Sequence, residues 1–331
     1  MSAAWSALLA SHPIATHAPT DASLVLIPLP GQASLQVTGP DACKFLQGQC
    51  TTDFREVENG KILPGAICSL KGRALFTYRA IPATDSMYLV MPQNQLTDAH
   101  AHLKKFSIFS KVTLTADAGT PLLLGMRGPD AASALAILST ELPPQGCTVT
   151  NPTGIIIAAL PDTNRYLLII PQEQAQKTLD ALLAAPAVIA TEADWLLADI
   201  RAGLASVSAA TRDQFQPQEL NYPAVSGVSY NKGCYTGQEI VARLYFRGKL
   251  KQRLYRLSAA TGKIEAGSGI YAGEQLVGSV VNAASSGDNQ SELLAIVKNA
   301  AIPAGQLILG QNGPTLTVLD LPYALDKEKE E

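Results

Sequence analysis

The chain contains an internal repeat, and this repeat constrains its fold more than any other feature. Gly-Pro-Asp-Ala opens an apolar helical pattern at Gly39 and again at Gly128. A proline near the first helical position and an aspartate in the first turn are typical of a helix start. Later in each half, from Met87 and from Arg165, Tyr-Leu and an apolar run lead to Pro-Gln-x-Gln and an amphipathic pattern. The same order of landmarks in both halves predicts a duplicated unit.

Each copy combines strands with helices, so the repeat predicts two related α+β units, each an antiparallel sheet covered on one face. The alternative is a chance likeness between two common strand–proline–helix segments. A further helix is predicted over residues 191–204, with Thr191 as its N-cap. After Arg247, short apolar or alternating runs separated by Gly, Asn and Pro predict a small β-barrel or sandwich. The charged run at 326–331 predicts a disordered tail.

Charge and hydropathy exclude two classes of protein. A net charge of -3 and a pI near 5.9 exclude a globally basic nucleic-acid binder, although they allow a local basic surface. No apolar run reaches the ~18 residues of a membrane helix. No basic residue precedes Lys44, so a secretory signal is not predicted either. We therefore expect a cytoplasmic protein with no membrane partner.

The cysteines fit a reducing compartment. Their number, five, is odd and no CxxC pair is present, which argues against a disulfide framework or a zinc knuckle. Most of them are predicted to be small core residues. The cysteines are Cys43, Cys50, Cys68, Cys147 and Cys234.

One cysteine lies in a loop of unusual composition. Residues 231–243 read NKGCYTGQEIVAR and place Cys234 between Gly233 and Gly237. Two glycines permit positive φ and allow the backbone to approach a ligand closely. The nearby cation of Lys232 favours the thiolate and can lower a cysteine pKa below its reference value of about 8.5.

Polar and basic side chains continue beyond the thiol. Gln238 and Glu239 offer an amide and a carboxylate suited to the edge of a heterocycle. Positions 232–256 carry seven basic residues against the single acidic Glu239, a net of +6 (7 − 1), so an anionic ligand or partner is expected. The basic residues are Lys232, Arg243, Arg247, Lys249, Lys251, Arg253 and Arg256.

Three other interpretations of residues 231–243 are supported to different degrees by the sequence. It is not a Walker loop, because it lacks GxxxxGK[ST], and a glycine turn with a buried cysteine and a solvated basic edge stays open. A cysteine protease or acyltransferase needs a histidine base, and all four histidines lie in the first third of the chain without a matching signature. His100 and His102 lie two apart on a predicted helix and point to different faces, so no metal site is predicted.

The stretch KGCYTGQE, residues 232–239, resembles the signature octapeptide of the YgfZ family. These are folate-binding proteins that support iron–sulfur enzymes and are related to the aminomethyltransferase T-protein of the glycine cleavage system. Four collinear blocks carry the resemblance over most of residues 33–250. The blocks are GPDACKFLQGQCTTD, CSLKGRALFTYR, DWLLADIRAGLASV and FQPQELNYPAVSGVSYNKGCYTGQEIVARLYFRG.

The resemblance implies a T-protein-like α+β fold, with two related α+β units around a central channel for tetrahydrofolate and a small C-terminal β-barrel. Residues 1–120 and 190–246 would form the first, folate-binding portion, 121–189 the second unit, 247–325 the barrel and 326–331 the tail. A metal ion is not implied.

The resemblance also implies site residues. Cys234 matches the functional thiol, and Trp195 matches a tryptophan of the folate site, where its indole could stack on the pterin or aminobenzoyl ring. The alternative places Trp195 in the core. Lys232 would meet the folate carboxylates or steady a thiolate. The remaining cofactor-binding candidates, which shape the pocket or hold the loop, are Gly233, Tyr235, Gly237, Gln238 and Glu239.

Two departures from the family pattern bear on activity. Some members carry a second tryptophan at a place that falls near Gln32, so one aromatic wall of the folate site is missing here. The T-protein carries an essential acid where this chain reads KGRALFTYR, with no Asp or Glu between Gly72 and Arg79. This argues against aminomethyl transfer and against a classical enzyme.

The favoured hypothesis is a cytoplasmic folate-binding accessory protein that helps to assemble or repair iron–sulfur clusters in enzymes such as radical tRNA methylthiotransferases. Cys234 would act as an exposed thiolate, through redox exchange, a transient persulfide or transient cluster contact. A stable cluster needs about four ligands, so no permanent cluster is expected. The alternatives are a folate-dependent one-carbon transferase, and a tRNA- or protein-binding module that uses the basic residues 243–256.

Overall fold

The computed structural model describes residues 3–116, 121–303 and 305–325, and the chain divides into two compact units. The first unit comprises Met1–Leu46, Phe54–Leu63 and Arg79–Trp195, and the second comprises Gln47–Asp53, Pro64–Tyr78 and Leu196–Glu331. The three-part division expected from the sequence stays a prediction. The predicted tail at 326–331 lies outside the described residues.

The described residues form eight α-helices and seventeen β-strands. The helices are α1 Ala3–Leu8, α2 Ala42–Gln49, α3 Phe54–Glu58, α4 Leu96–Lys104, α5 Ala131–Leu135, α6 Ala175–Leu183, α7 Glu192–Arg201 and α8 Gln238–Arg247. The strands are β1 Val25–Pro28, β2 Gln32–Thr38, β3 Leu63–Cys68, β4 Ala74–Ala83, β5 Ser86–Pro92, β6 Thr113–Thr115, β7 Leu122–Arg127, β8 Thr148–Thr150, β9 Ile156–Ala159, β10 Arg165–Ile170, β11 Val188–Ile189, β12 Gln252–Ala259, β13 Gly269–Ala272, β14 Gln275–Gly287, β15 Gln290–Lys298, β16 Leu307–Leu309 and β17 Thr315–Leu319. None of the helices in this described part is long and apolar enough to span a membrane.

A six-stranded sheet of the first unit has the order β11-β1-β7-β10-β9-β8. Its neighbours are antiparallel except β1 and β11, which are parallel. Alternate residues of β10 enter different apolar clusters: Leu168 and Ile170 pack with residues of α5 and α6, whereas Leu167 and Ile169 pack in a cluster that contains Trp195. Both faces are therefore buried, and the expectation of a sheet covered on one face is wrong for this sheet. The continuous apolar runs of its strands reflect this burial.

The landmarks of the repeat adopt matching local structures. Pro92 and Pro171, with φ of -54° and -53°, each precede a three-residue 3-10 helix that runs into a nine-residue α-helix, α4 or α6. At the other landmark, a Cβ on Gly39 or on Gly128 would clash with a backbone carbonyl oxygen, and α2 or α5 follows. The two halves of the sequence thus share local structure at both landmarks.

The second sheet has the order β3-β4-β5-β2-β6. The chain passes between the two units within β4, because residues 74–78 belong to the second unit and residues 79–83 to the first. A similar passage occurs within α7, where Trp195 is the last residue of the first unit. Thr191 directly precedes α7, the place predicted for its N-cap, and its carbonyl accepts a hydrogen bond from the Asp194 N–H. Its hydroxyl also donates to the Thr16 carbonyl.

Strands β12 to β17 close into a barrel in the order β12-β15-β14-β13-β16-β17. The predicted C-terminal β-barrel is confirmed. Its interior is a cluster of buried aliphatic side chains, among them Leu257, Val280 and Leu293. Closure gives each of these strands a hydrogen-bonded neighbour on both sides. A second apolar cluster of the same unit joins the outer barrel residues Leu254 and Ile296 to α8 and to the segments before it.

Candidate functional site

Residues 231–237, here called the thiol loop, lie in the second unit and lead directly into α8. Cys234 and Gly233 are exposed, whereas Lys232 and Tyr235 on either side of them are buried. The loop therefore presents the sulfur to solvent and is held in place by its neighbours. The thiol predicted to be accessible is accessible.

The other cysteines differ from Cys234 in exposure. Cys50 and Cys68 are buried, and Cys43 and Cys147 are partly exposed, so the prediction of core cysteines is correct for two of the four. Burial raises the pKa of Cys50 to about 11 and raises the pKa of Cys68 as well. Both buried thiols therefore stay protonated near neutral pH, and Cys234 is the fully exposed one.

Lys232 anchors the thiol loop. Its Nζ donates to the carbonyl oxygens of Cys50 and Thr52, each at 2.6 Å, and lies 5.0 Å from the centroid of the Tyr235 ring. Its charge favours the thiolate of Cys50, although the larger effect of burial still raises that pKa. The ammonium thus binds residues 47–53 of the same unit. Contacts of Lys232 with folate carboxylates or with Cys234 stay a prediction.

The two loop glycines have different reasons to be glycine. Gly237 has a φ of +82°, sits at the N-cap of α8, and would clash with the Ser69 carbonyl oxygen if it carried a Cβ. Gly233 does not have a positive φ, and a Cβ there would meet nothing within 4 Å. Of the two glycines, which both permit positive φ, Gly237 alone adopts it. Gly233 leaves open space next to the exposed Cys234.

The Tyr235 side chain is buried, with 6% of its surface exposed. Its hydroxyl has no hydrogen-bond partner among the described residues. Burial raises the pKa of Tyr235, so the hydroxyl keeps its proton and can donate. A buried polar group without a partner costs about 1–3 kcal/mol and calls for a ligand or a water. Gln238 and Glu239 follow in the first turn of α8, where Glu239 is exposed and its charge is favourable.

Trp195 lies in the core of the first unit and is 2% exposed. The guanidinium carbon of Arg165 lies 4.4 Å from the centroid of its ring, and the backbone of Gly125 packs so closely that a Cβ there would clash with the indole. The other seven predicted site residues all belong to the second unit, where they are brought together. Packing supports the core interpretation of Trp195, and its role in folate binding stays a prediction.

A carboxylate that the sequence analysis missed lies beside the turn at residues 69–73. Asp213 Oδ1 accepts a hydrogen bond from Ser69 Oγ at 2.7 Å, and the Asp213 carbonyl accepts one from Arg73 at 3.3 Å. The sequence holds no acid between Gly72 and Arg79, whereas Asp213 lies 144 positions from Ser69. The residues around Asp213 do not indicate its positive φ of 57°.

The basic segment 243–256 separates into two parts. Arg256 is bound by Glu292, whose Oε2 accepts from Arg256 Nη2 at 2.6 Å. The exposed basic residues are Arg243, Arg247, Lys249 and Lys251. Among the described residues, no group of three His, Cys, Asp or Glu side chains is arranged to hold a metal ion.

Comparison with known proteins adds family and fold. No family model matches the chain. The tRNA-modifying protein YgfZ of Yersinia pseudotuberculosis serotype O:1b (strain IP 31758) is 34% identical over 333 residues, which cover 96% of this chain and 98% of that protein. The tRNA-modifying protein YgfZ of Escherichia coli O157:H7 (strain EC4115 / EHEC) is 32% identical over 309 residues, covering 92% and 94%.

Among solved structures, the glycine cleavage system aminomethyltransferase T from Bartonella henselae superposes with a TM-score of 0.76 at 19% identity. The superposition covers 92% of this chain and 87% of that one. At this identity the likeness establishes the fold, and the predicted T-protein-like architecture is confirmed.

Proposed function

The chain belongs to the YgfZ family, and from that premise we propose that it is a cytoplasmic folate-binding accessory protein that supports tRNA modification. In this proposal it helps to assemble or repair iron–sulfur clusters in enzymes such as radical tRNA methylthiotransferases. The name of its relatives, tRNA-modifying proteins, and its T-protein-like fold both support this role.

The exposure of Cys234 is the observation that carries the proposal. A thiolate is the form of cysteine that attacks sulfur and binds metal, and it must reach its partner to do so. Cys234 is exposed, whereas Cys50 and Cys68 are buried and protonated. One thiolate lacks the roughly four ligands of a stable cluster, so the proposed contact with a client's sulfur or cluster is transient.

The thiol loop also has features that fit tetrahydrofolate. The Tyr235 hydroxyl is an unused donor, Gly233 borders open space, and Gln238 and Glu239 can pair with the donor and acceptor edge of a heterocycle. Tetrahydrofolate, when bound, would supply a reduced heterocycle that can carry one-carbon units. The resemblance adds Lys232 and Trp195 to this proposed site.

The test compares the intact protein with Cys234→Ala and Tyr235→Phe. Cys234→Ala should bind tetrahydrofolate like the wild type but should fail to restore tRNA methylthiolation in cells that lack the protein. Tyr235→Phe should weaken tetrahydrofolate binding by about tenfold, because it removes one hydrogen bond of about 1.4 kcal/mol and little volume. Calorimetric titration measures binding, and mass spectrometry of tRNA nucleosides measures the cellular role.

Cys43→Ala is the matched control, because Cys43 is a partly exposed cysteine outside the loop. It should behave as wild type in both assays. Full complementation by Cys234→Ala would refute the thiol role. Unchanged folate affinity in Tyr235→Phe would remove Tyr235 from the folate site.

A second candidate, aminomethyl transfer, draws support from one observation. Asp213 brings a carboxylate to the turn at residues 69–73, where the sequence itself offers none between Gly72 and Arg79. Turnover of an aminomethyl donor with tetrahydrofolate, lost in Asp213→Asn, would favour this candidate over the accessory role.

A further inference from the structure

The last turn of α8 carries an exposed cluster of aromatic rings. The rings of Tyr230 and Tyr245 stack, with centroids 3.7 Å apart and planes inclined by 14°. Phe246 meets Tyr245 edge to face at 5.0 Å and 78°. Phe246 is nevertheless 63% exposed and Tyr245 42% exposed. The cluster therefore leaves a large ring surface in contact with water.

Exposed basic side chains occur in the same segment of the chain as these rings. Arg243 and Arg247 are exposed, and their spacing of four residues places them on one face of the helix. Lys249 and Lys251 follow directly and are exposed as well. No Asp or Glu occurs from position 240 to position 264. We define the α8 surface as Tyr230, Arg243, Tyr245, Phe246, Arg247, Lys249 and Lys251.

This combination differs from ordinary surface exposure. A single exposed apolar residue needs no explanation, because much of any protein surface is apolar. Here three rings touch one another, and four exposed cations occur between positions 243 and 251. Core packing does not account for the rings, because Val241 is the one buried residue of α8 among those described. Exposed ring surface and exposed cations within one short segment suit a ligand that is planar and anionic at once.

We infer that the α8 surface binds unpaired nucleotides of RNA. Bases stack on aromatic side chains without regard to sequence, and phosphates are attracted to Arg and Lys along the same groove. Four cations spread over residues 243–251 match several successive phosphates better than the carboxylates of one folate. An acidic protein would neutralise the cations but would not need the exposed rings. The inference rests on the proposed function only for the choice of tRNA as the RNA.

The test measures fluorescence anisotropy of a labelled, unmodified tRNA transcript and of a blunt RNA duplex of similar length. The tRNA should bind more tightly than the duplex, because the duplex has no unpaired bases. Phe246→Ala should weaken tRNA binding about tenfold. The double variant Arg247→Gln, Lys249→Gln should reduce the slope of log K against log salt by roughly 0.7 for each phosphate that the variant no longer neutralises.

Matched controls lie in the first unit. Phe109→Ala removes an aromatic ring that is 98% exposed, and Lys177→Gln removes an exposed charge on α6. Both should bind tRNA like the wild type. Circular dichroism of every variant should superpose on that of the wild type, which would show that a loss of binding is not a loss of fold.

Several outcomes would overturn the inference. Unchanged binding in Phe246→Ala, equal losses in Phe109→Ala, or equal affinity for tRNA and duplex would each show that the rings do not stack on bases. Polyglutamate and oligouridylate are compared as competitors at the same concentration of negative charge. If polyglutamate displaced tRNA as well as oligouridylate does, the α8 surface would be an acidic-protein site instead. Failure of the proposed folate site is distinguishable, because Cys234→Ala and Tyr235→Phe should keep wild-type tRNA affinity.

Discussion

Lys232 ties the thiol loop to a distant segment of its own unit. A buried ammonium is costly unless its donors are used, and two of them reach the carbonyl oxygens of Cys50 and Thr52. Hydrogen bonds from a charged donor contribute about 1.5–3 kcal/mol each. The Lys232 side chain therefore points into the second unit and holds the thiol loop in the position that leaves Cys234 exposed.

Replacing Lys232 with Met tests this anchor. The change keeps much of the aliphatic side chain and removes both charged hydrogen bonds, but it also removes the cost of burying an ammonium. The free energy of unfolding should therefore fall by roughly 2–4 kcal/mol. Urea denaturation monitored by fluorescence measures it. Lys249→Met, at an exposed lysine nearby, should change stability by less than about 0.5 kcal/mol. Wild-type stability of Lys232→Met with reduced folate affinity would assign the lysine to ligand binding instead.

At this scale the sequence revealed only what has a local signal. The two glycines of the loop permit positive φ, which Gly237 adopts, and Cys234, expected from the family resemblance to act as an exposed thiolate, is exposed. The carbonyl partners of Lys232 lie about 180 positions away, and Asp213 reaches the turn at Ser69 across 144 positions. No pattern of residue types encodes such pairings, because the fold as a whole brings them together.

Among the secondary-structure elements, β15 holds α7 and β12 together through one carboxylate. Glu292 on β15 is 7% exposed and accepts hydrogen bonds from Arg201 of α7 at 2.7 Å and from Arg256 of β12 at 2.6 Å. Burial is the largest single effect and would raise its pKa. The hydrogen bonds and charges of the two arginines together outweigh burial and lower the pKa of Glu292.

Glu292→Gln should therefore destabilise the protein by roughly 3 kcal/mol at neutral pH, because it removes the charge between two arginines. The folded pKa of Glu292 lies below its unfolded value of about 4.3, so the contribution is complete above that value and is lost as pH falls through the folded pKa. Denaturation measured between about pH 2 and pH 8 should give a constant difference down to about pH 5 and a smaller difference as pH falls further.

The matched control is Glu265→Gln, because Glu265 pairs with Lys263 at 3.4 Å on the exposed surface. An exposed pair contributes about 0–1 kcal/mol, so this variant should resemble the wild type. A difference between wild type and Glu292→Gln that persists unchanged well below the pKa of Glu292 would show that weakened packing, rather than the missing charge, causes the effect.

The elements whose apolar residues follow a regular pattern were predicted from the sequence, whereas the helix α8 was not. The helix expected at 191–204 is α7, and the short strands expected after Arg247 form the barrel. In α8 the outward positions Tyr245 and Phe246 are as apolar as the inward Val241. This distribution hides the 3.6-residue period on which sequence reasoning depends. The same outward rings form the α8 surface, so the element that was missed is one with an unusual face.

On the scale of the whole molecule, the second unit is assembled from segments far apart in the chain. Its main apolar cluster combines Ala66, Cys68 and Ala74 with residues of α8 and of the outer barrel. The Thr51 hydroxyl donates to the Gly227 carbonyl at 2.6 Å, and the Ala74 N–H donates to the Phe215 carbonyl at 2.8 Å. Domain boundaries are predicted from a sequence at places where its composition and hydrophobic pattern change. Such a change marks the start of the barrel, but none marks a unit built from these interleaved segments.

A fragment of residues 196–331 should consequently fold only in part. It lacks the segments that receive the Lys232 hydrogen bonds and that fill the apolar cluster, whereas the barrel interior lies wholly within residues 257–316. Amide hydrogen exchange should show protection retained in β12 to β17 and absent over residues 215–247. The full-length chain, which should protect both regions, is the reference. Equal protection of 215–247 in the fragment would mean that the thiol loop and α8 are ordered by local contacts, and that the distant segments 47–53 and 64–78 do not hold the site.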